Sequence, residues 1–176
     1  MSEGGFYIMK EDKIIRWFGE SKIVDKKKRP MILYHGTENS FEKFDKDKIG
    51  SNSGNKGFLG KGFYFTKELW KAKAYGDVIH AYLRIENPFV INGKLNKKTV
   101  DIINKVSDTY AFEEGDDYTA VYNGFSHSIP EYPEIAELIT QGLESYGYDG
   151  IIYGDYEEVV CFEPNQILII KKEARL

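Results

Sequence analysis

Cysteine is almost missing from this chain: Cys161 is the single one among 176 residues. No disulfide can form within the chain, and a metal centre built on several cysteines is ruled out. Cys161 stands in the run Val159-Val160-Cys161-Phe162 and reads as a small buried hydrophobe. Long apolar runs are missing too, none approaching the roughly 20 residues of a membrane-spanning helix, so no membrane partner is expected. Residues 1–20 are mixed and charged, without the apolar segment of a signal peptide, and a cytoplasmic location is expected. Excess positive charge is lacking as well. The net charge of −4 gives no general attraction for nucleic acid; such a partner would need a local basic face. Glycines cluster between residues 45 and 60, but no Gly-x-Gly-x-x-Gly follows a strand and no Gly-Lys-Ser/Thr occurs, which excludes dinucleotide-fold and P-loop fingerprints. No acidic, histidine or cysteine cluster has metal-ligand spacing, so no metal is expected.

What is present suits a globular chain with a real core. Hydrophobic residues are 41% and charged residues 30%, and aromatics reach 15%, which favours strands and stacking surfaces over a helical bundle. The length fits one domain over residues 1–176, with a core at about 14–170 and a helical lead-in over 1–30. Ser2 to Gly5 reads as a frayed tail and Lys10 to Phe18 as a short amphipathic helix stopped by Gly19. Strands are expected at 32–35, 62–66, 78–85, 89–91, 149–153, 157–162 and 166–170. Helices are expected at 67–75 behind Thr66, at 96–106, and from Pro133 to Tyr146 with Ile135, Leu138, Ile139 and Leu143 on one face. Phe41 and Phe44 suggest a turn of helix against the core. The segment from Asp45 to Gly60 reads as a long loop, and that from Ser107 to Pro133 as an irregular excursion. Strands dominate and helices flank them, so the fold class is α+β.

Three strands carry a polar residue inside an apolar run: His35 in Leu33-Tyr34-His35-Gly36-Thr37, Tyr64 in Gly60-Lys61-Gly62-Phe63-Tyr64-Phe65-Thr66, and Glu158 in Glu157-Glu158-Val159-Val160-Cys161-Phe162. An inward-facing polar group needs a partner, so each is either a satisfied core group or part of a site. Adjacent strand residues face opposite ways, so only one of Glu157 and Glu158 can enter a given cleft; if Glu158 does, Val160 and Phe162 share its face.

These segments resemble the ADP-ribosyltransferases of the His-Tyr-Glu type, the group of the poly(ADP-ribose) polymerase catalytic domain and diphtheria toxin. His35-Gly36-Thr37 is similar to the His-Gly-Ser/Thr of that group, and Gly60-Lys61-Gly62-Phe63-Tyr64-Phe65 to its Gly-Lys-Gly-x-Tyr-Phe. Tyr75 falls where polymerase-type members carry a second tyrosine. Glu158 has the offset of the catalytic glutamate from a Gln-Ile pair, here Gln166-Ile167. The lead-in Trp17-Phe18-Gly19-Glu20-Ser21-Lys22-Ile23-Val24-Asp25 looks like that of transferase domains in polyvalent proteins of phages and mobile elements. The resemblance implies split antiparallel β-sheets with flanking helices and an NAD cleft between them, and a bacterial or phage-infected host cell as the setting.

It also implies a chemistry. NAD is the co-substrate, and cleavage at the nicotinamide ribose passes through an oxocarbenium-like transition state, which a nearby negative group favours. By resemblance Glu158 supplies that group and bonds a ribose hydroxyl. His35 bonds a ribose hydroxyl, the backbone of Gly36 bonds the nicotinamide amide, Thr37 is a further cofactor-binding residue, and Tyr64 and Tyr75 sandwich the nicotinamide ring. Gly60 and Gly62 let the strand start close to the ligand. Ala72 takes the place of an amide-binding serine of the polymerases. Asn39, Ser40, Ser51, Asn52 and Ser53 are candidates for the adenine half or the diphosphate, and Lys61 reads as solvated. The implied activity is transfer of one ADP-ribose to a macromolecular acceptor (protein, RNA or DNA), with an antitoxin as a further candidate partner. Hydrolysis of NAD, a silent binding module and RNA 2′-phosphotransfer are the other readings. The last lacks a set of arginines, since only Arg84 and Arg175 follow the first strand. The basic run Lys26 to Arg29 reads as a solvated turn, and the acidic residues Glu113, Glu114, Asp116 and Asp117 as a solvated loop.

Overall fold

The structure, a computed structural model, describes residues 4–50 and 57–176. Its helices are α1 (Gly4–Phe18), α2 (Leu69–Lys73), α3 (Lys97–Ser107), α4 (Thr119–Glu131) and α5 (Glu134–Ser145); its strands are β1 (Leu33–Thr37), β2 (Phe63–Phe65), β3 (Asp77–Leu83), β4 (Pro88–Ile91), β5 (Gly150–Tyr153), β6 (Glu158–Cys161) and β7 (Ile167–Glu173). The strands form two sheets, ordered β1-β3-β7 and β2-β6-β5-β4. The α+β class is as expected. The wholly antiparallel pattern is not, because β4 runs parallel to β5. Such a pair needs a crossover, and α3, α4 and α5 supply it.

Alternation along the strands builds two cores. Val159 and Cys161 face Leu33, Ile79, Ala81 and Leu83 between the two sheets. Val160 and Phe162 face the other way, with Ile151 and Tyr153, onto the crossover helices. There Ile103, Val121, Phe125, Ile139 and Leu143 are at most 1% exposed. Each such side chain contributes on the order of 2 kcal/mol by leaving water.

Several local expectations change. The first helix runs from Gly4 rather than Lys10, so Gly4 and Gly5 are not a tail; Ser2 lies outside the described residues. The segment 107–133 is not irregular throughout, because α4 occupies its second half with Val121, Phe125 and Ile129 buried four residues apart. Helix α2 is shorter than 67–75 and starts after Glu68; Thr66 still accepts from the Glu68 amide at 3.1 Å. Phe41 and Phe44 form no helical turn. Leu138 is 43% exposed, off the buried face of α5. Ser51, Asn52 and Ser53 lie outside the described residues.

Two buried polar side chains tie the architecture. Ser21 Oγ donates to the Leu83 carbonyl at 2.7 Å and accepts from the Ile85 amide at 3.1 Å, so the lead-in closes the end of β3. Gln166 closes β6: its Oε1 accepts from the Phe162 and Glu163 amides at 3.1 and 2.9 Å, and its Nε2 donates to the Arg84 and Asp149 carbonyls at 3.1 and 2.7 Å. The offset between Glu158 and Gln166 is therefore structural, since Gln166 fixes the strand that presents Glu158. Gln166→Leu strands two amides and two carbonyls, and a loss of about 2 kcal/mol in urea denaturation is the expected result.

Candidate active site

Between β1 and β2 the two sheets separate. One bridge joins them, with the Tyr34 and Thr66 amides each donating to the other residue's carbonyl at 2.9 Å. Next to it the backbone pairing stops, and a side chain takes over: His35 Nδ1 lies 2.7 Å from the Tyr64 carbonyl oxygen. A carbonyl only accepts, so Nδ1 carries the proton and Nε2 of the neutral ring is an acceptor. Burial keeps the imidazole's pKa below its ordinary value, so the neutral form holds at neutral pH. Phe44, Phe65 and Phe41 surround the ring with centroids at 5.1, 5.5 and 6.2 Å. Phe41 and Phe44 thus anchor His35, although not as a helix.

The separation opens a cleft of about 990 Å³, at the upper end of the range for small-molecule sites. His35, Tyr64 and Glu158 all line it, as do Gly36, Thr37, Gly62, Ala72 and Tyr75. The residues singled out in the sequence therefore converge. Asn39 and Ser40 line the cleft too.

Their neighbours give several of them a different reason for being there. A Cβ on Gly36 would lie 2.0 Å from the Ala72 carbonyl oxygen and 2.8 Å from Tyr75 Cβ. Gly36 is thus required by the approach of α2 to β1, whatever binds beside it. A Cβ on Gly62 would lie 2.6 Å from the Cys161 carbonyl oxygen, so that glycine serves the β2–β6 contact. Lys61 is not simply solvated: its Nζ is 3.4 Å from Glu137 Oε1, and its backbone bonds to Ala136 and Thr140 of α5. Thr37 Oγ1 closes a turn on the Asn39 backbone, with both contacts at 3.1 Å.

The two tyrosines differ. Tyr64 is fixed, its hydroxyl donating to the Gly60 carbonyl at 2.6 Å and accepting from the Leu59 amide at 2.9 Å. Burial pushes its phenol well above the ordinary range. Tyr75 lies two residues past α2 and is 64% exposed, at the cleft mouth.

Glu158 opens β6, one strand from Tyr64. Tyr64 pairs with Val160, so Glu158 and Tyr64 stand on one face of the sheet. The Glu158 side chain is 15% exposed. Burial raises its pKa, and Lys71 on α2 opposes that shift with Nζ 3.1 Å from Oε1. The second oxygen has no partner among the described residues. Glu157 turns to another neighbour, accepting from the Tyr118 hydroxyl at 2.6 Å.

Sequence reasoning missed Lys71 and Tyr122. Lys71 sits seven residues after Tyr64 on a helix and reads as a surface charge; its partner is 87 residues away. If ionised Glu158 is needed for turnover, Lys71→Met will move the acid limb of the pH–kcat/KM profile to higher pH. The sign follows from Lys71, which holds the carboxyl pKa down against burial. A limb that stays put or moves to lower pH would show that this carboxyl is not the group being titrated.

Relatives bear on what this cleft belongs to. The family model described as ADP-ribosyltransferase in polyvalent proteins matches residues 25–175. The chain belongs to this family. The ADP-ribosyltransferase match takes in β1 through β7 and hence every cleft residue named above; of the lead-in it includes only Asp25. Among solved structures, one titled as the crystal structure of an anti-CRISPR protein is 14% identical, covering 80% of this chain and 95% of that one with a TM-score of 0.41. A likeness that distant carries no argument about this ADP-ribosyltransferase. No curated protein matches it. Among the described residues, no helix is long and apolar enough to cross a membrane, and no group of three His, Cys, Asp or Glu could hold a metal ion.

Proposed function

We propose that this chain is a mono-ADP-ribosyltransferase of the His-Tyr-Glu type, with the split-sheet fold of that group, cleaving NAD and passing ADP-ribose to a macromolecular acceptor. The observation that carries the reading is the convergence of His35, Tyr64 and Glu158, from three strands of two sheets, on one cleft of a family member. NAD fits the donor set. His35 offers an acceptor nitrogen to a sugar hydroxyl, Glu158 a carboxylate oxygen, and Tyr64 and Tyr75 two aromatic faces to a flat cation.

In the reaction the bond from the anomeric carbon to the nicotinamide nitrogen breaks, and its electron pair leaves with nicotinamide. The positive charge left on the ribose is met by Glu158, whose partial burial strengthens that attraction. The acceptor's oxygen or nitrogen bonds the anomeric carbon and gives up its proton to water. Lys71 holds the Glu158 carboxyl pKa down against burial and leaves one carboxylate oxygen for substrate.

The test uses NAD labelled in the ADP-ribose part, incubated with the protein and cell extract. Label in protein, RNA or DNA, with nicotinamide released, is expected. Label found only as free ADP-ribose would replace transfer by hydrolysis, and intact NAD would make the cleft a binding module.

A further inference from the structure

Tyr122, from the first turn of α4, belongs to none of the matching motifs, yet it lines the cleft with Glu158, Tyr64 and Tyr75. Its ring is held by Phe58 at 5.7 Å and Tyr153 at 5.8 Å between centroids. The helix end that carries it is tied to the β5–β6 turn by the bond from Tyr118 to Glu157, the residue before Glu158. Position and ring orientation are thus set by packing. The hydroxyl is another matter: no described residue hydrogen-bonds to it. Burial pushes the phenol's pKa up to about 12, and the Glu158 carboxylate and the Tyr75 phenol lie close enough to add to the shift. The hydroxyl therefore stays protonated, a donor in a half-buried position on the cleft that Glu158 also lines with an oxygen lacking a partner among the described residues.

A donor and an acceptor that line one cleft without bonding each other can share one substrate hydroxyl between them, the donor giving to its oxygen while its proton goes to the acceptor. We propose that Tyr122 is a substrate-binding residue of this cleft, its phenol donating to the same hydroxyl of the nicotinamide ribose that donates to Glu158. This rests on the transferase reading above. The pair would grip the reacting sugar from both sides and select a ribose over a sugar lacking that hydroxyl, since a site built to bond a hydroxyl leaves polar groups stranded without it.

Tyr122→Phe removes the donor and keeps the ring. Its kcat/KM for NAD should fall about tenfold, the size of one lost hydrogen bond, with a Tm within about 2 °C of the parent. The deciding measurement repeats the comparison with NAD analogues lacking the 2′- or the 3′-hydroxyl of the nicotinamide ribose. With one of them the parent should lose its advantage, and the two proteins should cleave it equally. A tenfold gap that persists with both analogues, or no gap with NAD, overturns the proposal while leaving NAD cleavage intact. A parent protein that neither binds nor cleaves NAD overturns the transferase reading and this proposal with it.

Discussion

Glu158→Gln should cut NAD turnover by about 10²- to 10³-fold while NAD binding changes less than tenfold, the usual outcome of removing one preorganised electrostatic partner of a transition state. Glutamine keeps the size and the hydrogen-bonding oxygen but not the charge. Binding a ribose hydroxyl needs only an acceptor; stabilising a cation at the anomeric carbon needs the negative group. Turnover followed by nicotinamide release, beside an NAD titration, separates the two. Undiminished turnover would remove Glu158 from the chemistry. The same variant reports on stability. Burial raises this carboxyl's pKa in the folded chain, so folding takes up a proton between the ordinary and the raised value. The group's stabilising effect is present below the ordinary carboxylate pKa and is lost as pH rises through the folded one. At neutral pH the ionised form therefore weakens the fold, and Glu158→Gln should raise Tm rather than lower it. Lys71, 33% exposed, can turn to water once its partner is neutral.

Gly36→Ala should lower stability by about 3 kcal/mol, the upper part of the usual range for overpacking, and abolish activity in whatever fraction folds. The added carbon would stand 2.0 Å from the Ala72 carbonyl oxygen, a backbone atom with no rotamer to escape into. Helix α2 would have to leave β1, and it carries Lys71 with Tyr75 just beyond its end. The ion pair to Glu158 would break, and the exposed wall of the cleft would move off. Urea denaturation and NAD titration of the same preparation check both effects. A variant of unchanged stability that has merely lost affinity would return Gly36 to the role expected from sequence, that of a residue close to ligand alone.

How far the sequence could be read followed from the range of each interaction. His35, Tyr64 and Glu158 were visible because each interrupts a short apolar strand with a group that needs a partner, and their flanking motifs have fixed spacing. Val160 and Phe162 share a core face apart from Val159 and Cys161, as strand alternation requires. Helix α4 was hidden because Asn123, Gly124, Ser126, Ser128 and Pro130 dilute its pattern; only Val121, Phe125 and Ile129 keep the period. The parallel β4–β5 pair left one trace, the run Gly150 to Tyr153 in which every residue is buried. Lys71 and Tyr122 depend on partners brought near by topology, which no local pattern encodes. The glycine motifs were found through an expected close approach of ligand, and they have a packing reason as well: Gly36 and Gly62 answer to neighbouring backbone that only the folded chain reveals.

The imidazole that replaces a missing strand partner ties folding to chemistry at a single proton. Removing His35 would orphan the Tyr64 carbonyl as well as the cleft, so a lineage that abandons catalysis still has a thermodynamic motive to keep the histidine. Glu158 has less to hold it, since burial outweighs its ion pair with the part-exposed Lys71. On the proposed transferase reading, the carboxylate is therefore what marks a working enzyme among descendants of this chain, and the histidine alone marks only the architecture.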